Sequence, residues 1–190
     1  MMRHSKAAIL TAILLLVFTW GCSSGPSSYV QTDADFSFVS RAAVLPFQNL
    51  SQDLHAGTRM QSVFLASILE RDALSMVNLG ETLNAMGRLR LGTDIALTRD
   101  QIIDLGKELQ VDALFFGTVE EFGMERMSND RVYVITVTFS MVETETGSLI
   151  WTSQVHENGT SLWRKLFGGG SSSLYDVSRS TVEQALETLF

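Results

Sequence analysis

Apolar and polar positions follow different periods in successive stretches of this chain, and each change of period marks an element. The first stretch is not periodic. Arg3, His4 and Lys6 precede an apolar run from Ala7 to Phe18 interrupted only by Thr11. A charged start followed by a run shorter than the ~20 apolar residues of a membrane-spanning helix predicts an export signal over residues 1–21 rather than a span. Residues 22–40 are mostly Ser, Gly, Pro, Asp and Thr, with few bulky apolar side chains before Phe36 and Phe38. They read as a tether that orders near its end, with a typical reach of about 25 Å for a flexible chain.

Periodic structure starts at Arg41. The apolar run from Arg41 to Pro46 predicts a buried strand ended by proline. Met60, Val63, Phe64, Ser67, Ile68 and Arg71 recur at helical spacing, which predicts a helix over 56–71. Leu74 to Leu79 reads as a second short strand. Leu83, Met86 and Leu89 suggest a further helix, weakened by Gly87. Thr98 and Gln101 form a capping-box pair that starts a helix over 99–110.

Val111 to Gly117 predicts a strand continuing to about Met127, followed by a turn at 128–131. From Val132 to Val142 the period is two, with Tyr133, Ile135, Val137, Phe139 and Met141 on one face and Thr136, Thr138 and Ser140 on the other. After a turn at Thr144–Gly147, Leu149 to His156 is the return strand, with Leu149, Trp151 and Val155 on one side. Gly168 to Ser173 is a flexible insert, and 173–189 closes the chain as a helix. The order βαβααβββα predicts an α/β fold of the α+β type, a mixed sheet covered by helices in one domain over 41–190.

Cys22 is the only cysteine of the chain and follows Thr19, Trp20 and Gly21. A small residue before a lone Cys at the end of an export signal resembles the bacterial lipobox, with Thr19 and Trp20 departing from its usual residues. The resemblance implies that the Cys22 thiol receives diacylglycerol, that the bond before it is cut, and that the new amino group is acylated too. Two or three chains make a lasting membrane anchor where one gives only marginal binding. A lone thiol in an oxidising compartment has no disulfide partner, which fits lipidation better than an unmodified Cys. Ser23 and Ser24 follow with no Asp in the first of these positions, which by resemblance to the enteric sorting rule favours the outer membrane, facing the periplasm.

Charge narrows the partners. Losing Arg3 and Lys6 with the signal takes the formal charge from −7 to −9. Nucleic acid is excluded as a natural partner, and the lipid anchor rather than the protein's overall charge has to supply membrane affinity.

Four segments in order carry a wider resemblance: AVLPFQNLS at Ala43–Ser51, the helix start near Ala56 and Gly57, LTRDQIIDLGKELQVDALFFGTVEEF at Leu97–Phe122, and ETETGSLIW at Glu143–Trp151. Together they resemble the superfamily of the curli secretion lipoprotein CsgG, the TolB amino-terminal domain and the synthase activator LpoB. This implies an anticodon-binding-like α/β domain serving envelope assembly, secretion or maintenance. The motif residues themselves read as structural. Asn49 and Ser51 satisfy backbone groups after the first strand, Gly106 permits close packing inside a helix, Gly117 permits close backbone approach or a bulge in the strand, and Gly147 suits a turn with positive φ.

Catalytic signatures are missing from the sequence. It has no nucleophile elbow, no phosphate-binding glycine loop and no His or Cys spacing suited to zinc, so no catalytic residue, metal, cofactor or small-molecule substrate is expected. Glu120 and Glu121, near Asp112 and Glu125, read as a solvated strand end whose neighbours point to opposite faces. His156 lies near a strand end. Trp163, Leu166 and Phe167 form an apolar cluster before the glycines, a candidate partner contact. These readings lead to a non-enzymatic lipoprotein that binds other envelope proteins or assembles with itself. An oligomeric secretion-pore subunit using the 132–156 hairpin, and an activator of a peptidoglycan synthase, are the alternatives.

Overall fold

The computed structural model describes residues 27–30, 36–93, 96–127, 130–159 and 173–190. The export signal, Cys22, the turn at 128–129 and the 160–172 insert lie outside the described residues.

Local signals set most helix boundaries. Helix α1 spans Ala56–Arg71, as its apolar spacing predicts. Asn78 accepts from the Gly80 amide and opens α2, Leu79–Arg88. The strand expected over 74–79 therefore shrinks to β4, Ser75–Met76. Helix α3, Arg99–Leu109, carries the predicted reciprocal box: the Thr98 hydroxyl accepts from the Gln101 amide, and the Gln101 side chain accepts from the Thr98 amide. The same device between Ser173 and Asp176 starts α4, Leu174–Leu186. Each box satisfies first-turn donors that would otherwise go unpaired.

The strands are β1 (Ser27–Val30), β2 (Arg41–Val44), β3 (Gln48–Asn49), β4, β5 (Ala113–Met127), β6 (Asp130–Glu143) and β7 (Leu149–Asn158). They form one mixed sheet in the order β1-β7-β6-β5-β2-β4, with β3 pairing β5. Strands β2, β3 and β4 pair parallel to their neighbours, whereas β5, β6, β7 and β1 are antiparallel. The α/β class and helix-covered mixed sheet expected from sequence are thus observed, with β1 and β3 as additional strands. Within the segment read as tether, Ser27–Val30 pairs with Trp151–Gln154 of β7. All four of its side chains are exposed, so backbone hydrogen bonds rather than packing hold it and no apolar pattern announces it.

One face of the sheet meets α1 and α4. Its centre is a group of rings: Phe64 stacks on Phe139 at 5.1 Å between centroids, Phe115 and Phe47 meet Phe64 edge-on or tilted, and Trp151 meets Phe115. Trp151 is fully buried and its ring N–H donates to the Thr188 hydroxyl at 3.0 Å. The opposite face meets α2 and α3 over β2, β4, the start of β5 and the end of β6, where Ala43, Val77, Leu105, Leu109, Leu114 and Val142 pack. Gly106 makes that packing possible, because a Cβ there would stand 2.3 Å from the Thr144 Cβ. Gly147 turns the chain at φ +68°, as its place in the turn predicts.

Two bulges change the sequence reading of faces. The β5–β6 register shifts between Val119 and Glu121, and the β6–β7 register shifts between Met141 and Val142. The second shift leaves Leu149 exposed and puts Ile150 in the core beside Trp151, correcting the expectation that Leu149 shares a side with Trp151 and Val155. An extra residue on one strand reverses the alternation beyond it.

Candidate functional site

The expected anchor Cys22 and the expected contact residues Trp163, Leu166 and Phe167 lie outside the described residues. What the structure does place is two surfaces, one polar and one apolar.

The polar surface is the part of the sheet that α2 and α3 leave uncovered. Because Glu120 is the bulged residue, Glu120 and Glu121 both reach the side chains of that face, contrary to the expectation that they diverge. Thr138 donates to Glu120 Oε1 at 2.7 Å, and Thr136 donates to Glu121 Oε2 at 2.6 Å. His156 Nδ1 lies 2.8 Å from the Thr136 hydroxyl oxygen and 3.6 Å from Glu121. With the Thr136 proton given to Glu121, the imidazole is the donor to Thr136. His156 and Glu121 are each about half exposed. Such a row orders side chains across strands and offers hydrogen bonds outward. Among the described residues no three His, Cys, Asp or Glu side chains are grouped to hold a metal ion.

Asp112, grouped in sequence with these acids, is at the other end of β5. Its Oδ2 accepts from the Ser40 amide, the Ser40 hydroxyl and the Arg41 amide, each at 2.9 Å. Partial burial raises its pKa, but these donors outweigh that and hold the carboxyl below its usual value. Asp112 therefore fastens the start of β2 to the start of β5. Glu125 is exposed near the far end of β5, so the four acids do not form one site.

The apolar surface is a groove of about 550 Å³ between α1 and α4, lined by Val63, Ala66, Phe122, Leu174, Tyr175 and the polar edge of Thr58, Arg59, Ser62 and Ser178. Helical spacing on α1 exposes Val63 and Ala66 on one side, and the start of α4 brings Leu174 and Tyr175 against them. The sequence reading recognised these residues as apolar but not their convergence, since they come from elements more than a hundred residues apart. Apolar walls with few convergent polar groups suit a chain or side chain rather than a reacting substrate.

A helix-covered mixed sheet with a polar open face and an apolar groove places the chain in the α/β class. No family model matches the chain, and no curated protein matches it. Solved structures do. PelC from Paraburkholderia phytofirmans, a dodecamer, aligns with TM-score 0.59 and 16% identity over 86% of this chain and 95% of its own. Lipoprotein GNA1162 from Neisseria meningitidis aligns with TM-score 0.56 and 19% identity over 78% of this chain and 99% of its own. These two share the fold of this chain. The LpoB C-terminal domain from Escherichia coli aligns less closely, at TM-score 0.49 and 15% identity over 65% of this chain and 86% of its own. Among the described residues no helix is long and apolar enough to cross a membrane.

Proposed function

We propose that this protein is a non-enzymatic lipoprotein, anchored in the outer membrane through Cys22, whose periplasmic domain binds protein partners, with copies of itself as the first candidate. The lone Cys22 directly after an export signal is the observation that carries the reading. The fold supports it, because one of the two proteins sharing it is named a lipoprotein and the other is a dodecamer. The Glu120, Glu121, Thr136 and His156 row supports a binding role, since it holds hydrogen-bonding groups at the surface where a partner can meet them.

Cys22→Ser tests the anchor: the variant leaves the membrane fraction or retains its signal, and unchanged membrane retention with normal cleavage counts against lipidation. The mass of the mature chain in solution tests assembly. A ring or smaller oligomer at micromolar concentration supports it, and a monomer throughout that range refutes self-association.

A further inference from the structure

The sheet register fixes which end of the sheet the start of β1 faces. Strand β1 is antiparallel to β7, which is antiparallel to β6, and Ser27 is level with Gln154 and Thr138. The chain before Ser27 therefore enters from the side on which β5 and β6 run out as a hairpin. Ser27 is five residues on from Cys22, with four between them, a reach of at most about 18 Å. From Thr138 to Arg131 is seven residues of strand, about 24 Å. The hairpin is longer than the anchor segment.

This end brings two arginines together with exposed apolar side chains. Arg126 and Arg131 are directly paired across β5 and β6 and both are exposed. Like charges directly opposite each other oppose pairing, and neither arginine makes an ion pair among the described residues. In sequence Glu125 and Asp130 balance their charge, so the hairpin end has no net positive charge and the two guanidinium groups act as individual donors to phosphate. Alternation puts the two arginines on the same side as the exposed Met124 and the buried Phe122, the floor of the apolar groove. Tyr175 is exposed at the groove's rim. Strand β3 runs parallel to β5, and the loop it feeds carries Leu54, 88% exposed, toward this same end.

We infer that this end rests on an anionic phospholipid surface: Arg126 and Arg131 take lipid phosphates, while Met124, Tyr175, Leu54 and the groove meet the acyl boundary. The inference rests on the reading of Cys22 as the anchor, which places the bilayer within reach of Ser27. Paired arginines beside apolar side chains match a headgroup layer, with charge outside and hydrocarbon beneath. A surface arginine near an anionic membrane strengthens attachment by about fivefold. Contact through this side of the hairpin turns the open polar sheet face, which lies on the opposite side of the sheet, away from the membrane and free for a partner.

The test replaces the anchor with one that does not depend on acylation. The mature chain with Cys22→Ser and an amino-terminal hexahistidine is attached to nickel-chelating vesicles. An environment-sensitive dye is placed on Met124→Cys, or on Leu149→Cys at the opposite end as control. With phosphatidylglycerol in the vesicles, the dye at 124 shifts to the blue and the dye at 149 does not. Arg131→Glu lowers the fraction of shifted dye at least fivefold, and Met124→Ser or Tyr175→Ser weakens untethered vesicle binding at high salt. An unshifted dye at 124, equal shifts at both sites, or a shift indifferent to Arg131→Glu overturns the contact. The tether is supplied by the vesicle, so these outcomes leave the Cys22 anchor to be judged separately by fractionation of Cys22→Ser in cells.

Discussion

The two ends of the β5–β6 ladder are built from the same pairing but live in different surroundings. At the base, Leu114 and Val142 pack against α2 and α3, while Phe115, Phe139 and Met141 pack against α1 and α4. At the far end, beyond Phe122 and Ile135, the ladder continues through Met124, Glu125, Arg126 and Arg131 with exposed side chains. Backbone pairing extends a strand well past the core. Packing on both faces confines stability to the base and leaves the far end free to be shaped by what it touches.

Substitutions should therefore cost much at the base and little beyond it. The largest loss belongs to Phe139→Ala, which empties the centre of the ring group and should lower unfolding free energy by about 3–5 kcal/mol in urea titration. Gly106→Val drives a side chain into Thr144 and should cost about 1–3 kcal/mol by the same measurement. A smaller effect, about 1 kcal/mol, is expected for Asp112→Asn, which weakens three donors' acceptor. Because folding lowers the Asp112 pKa, the unfolded chain binds more protons near pH 4. Its contribution is complete above that pH and is lost as pH falls through the folded value, so Asp112→Asn should flatten the acid limb of the stability profile.

The smallest effect has the opposite sign. Arg131→Glu replaces a facing like-charge pair by an opposite one and should raise stability by up to about 0.5 kcal/mol, while removing the lipid contact inferred above. A stability loss above 1 kcal/mol in that variant would mean that the far end is packed more like the base than its exposure indicates.

Elements with their own local signal were legible from sequence. The α1 limits follow from apolar spacing, the α3 start from Thr98 and Gln101, and the turn at Gly147 from its need for positive φ. Features set by other strands were not. Gly117 hinted at a bulge in β5 without placing it at Glu120, nothing at Ile150 signalled one, and each bulge depends on how the partner strand is registered. Strand β1 is Ser-rich and packs nothing, so it leaves no periodicity to read. The candidate surfaces were legible only in part: Glu120, Glu121 and His156 stood out as types, but the shared face depends on a bulge, and the groove on α4 returning to α1.

The pairing of β1 with β7 also bears on the order in which the chain becomes native. Ser27 precedes every other described residue, yet its partner Gln154 belongs to the last strand of the sheet. A chain delivered from its amino terminus thus presents its first strand long before the edge that receives it exists. Contacts so distant in sequence close late, because the intervening loop must first be ordered. Modification near the start of the chain has that interval in which to act on an unpaired segment, and closure of the sheet edge then becomes one of the last events of folding.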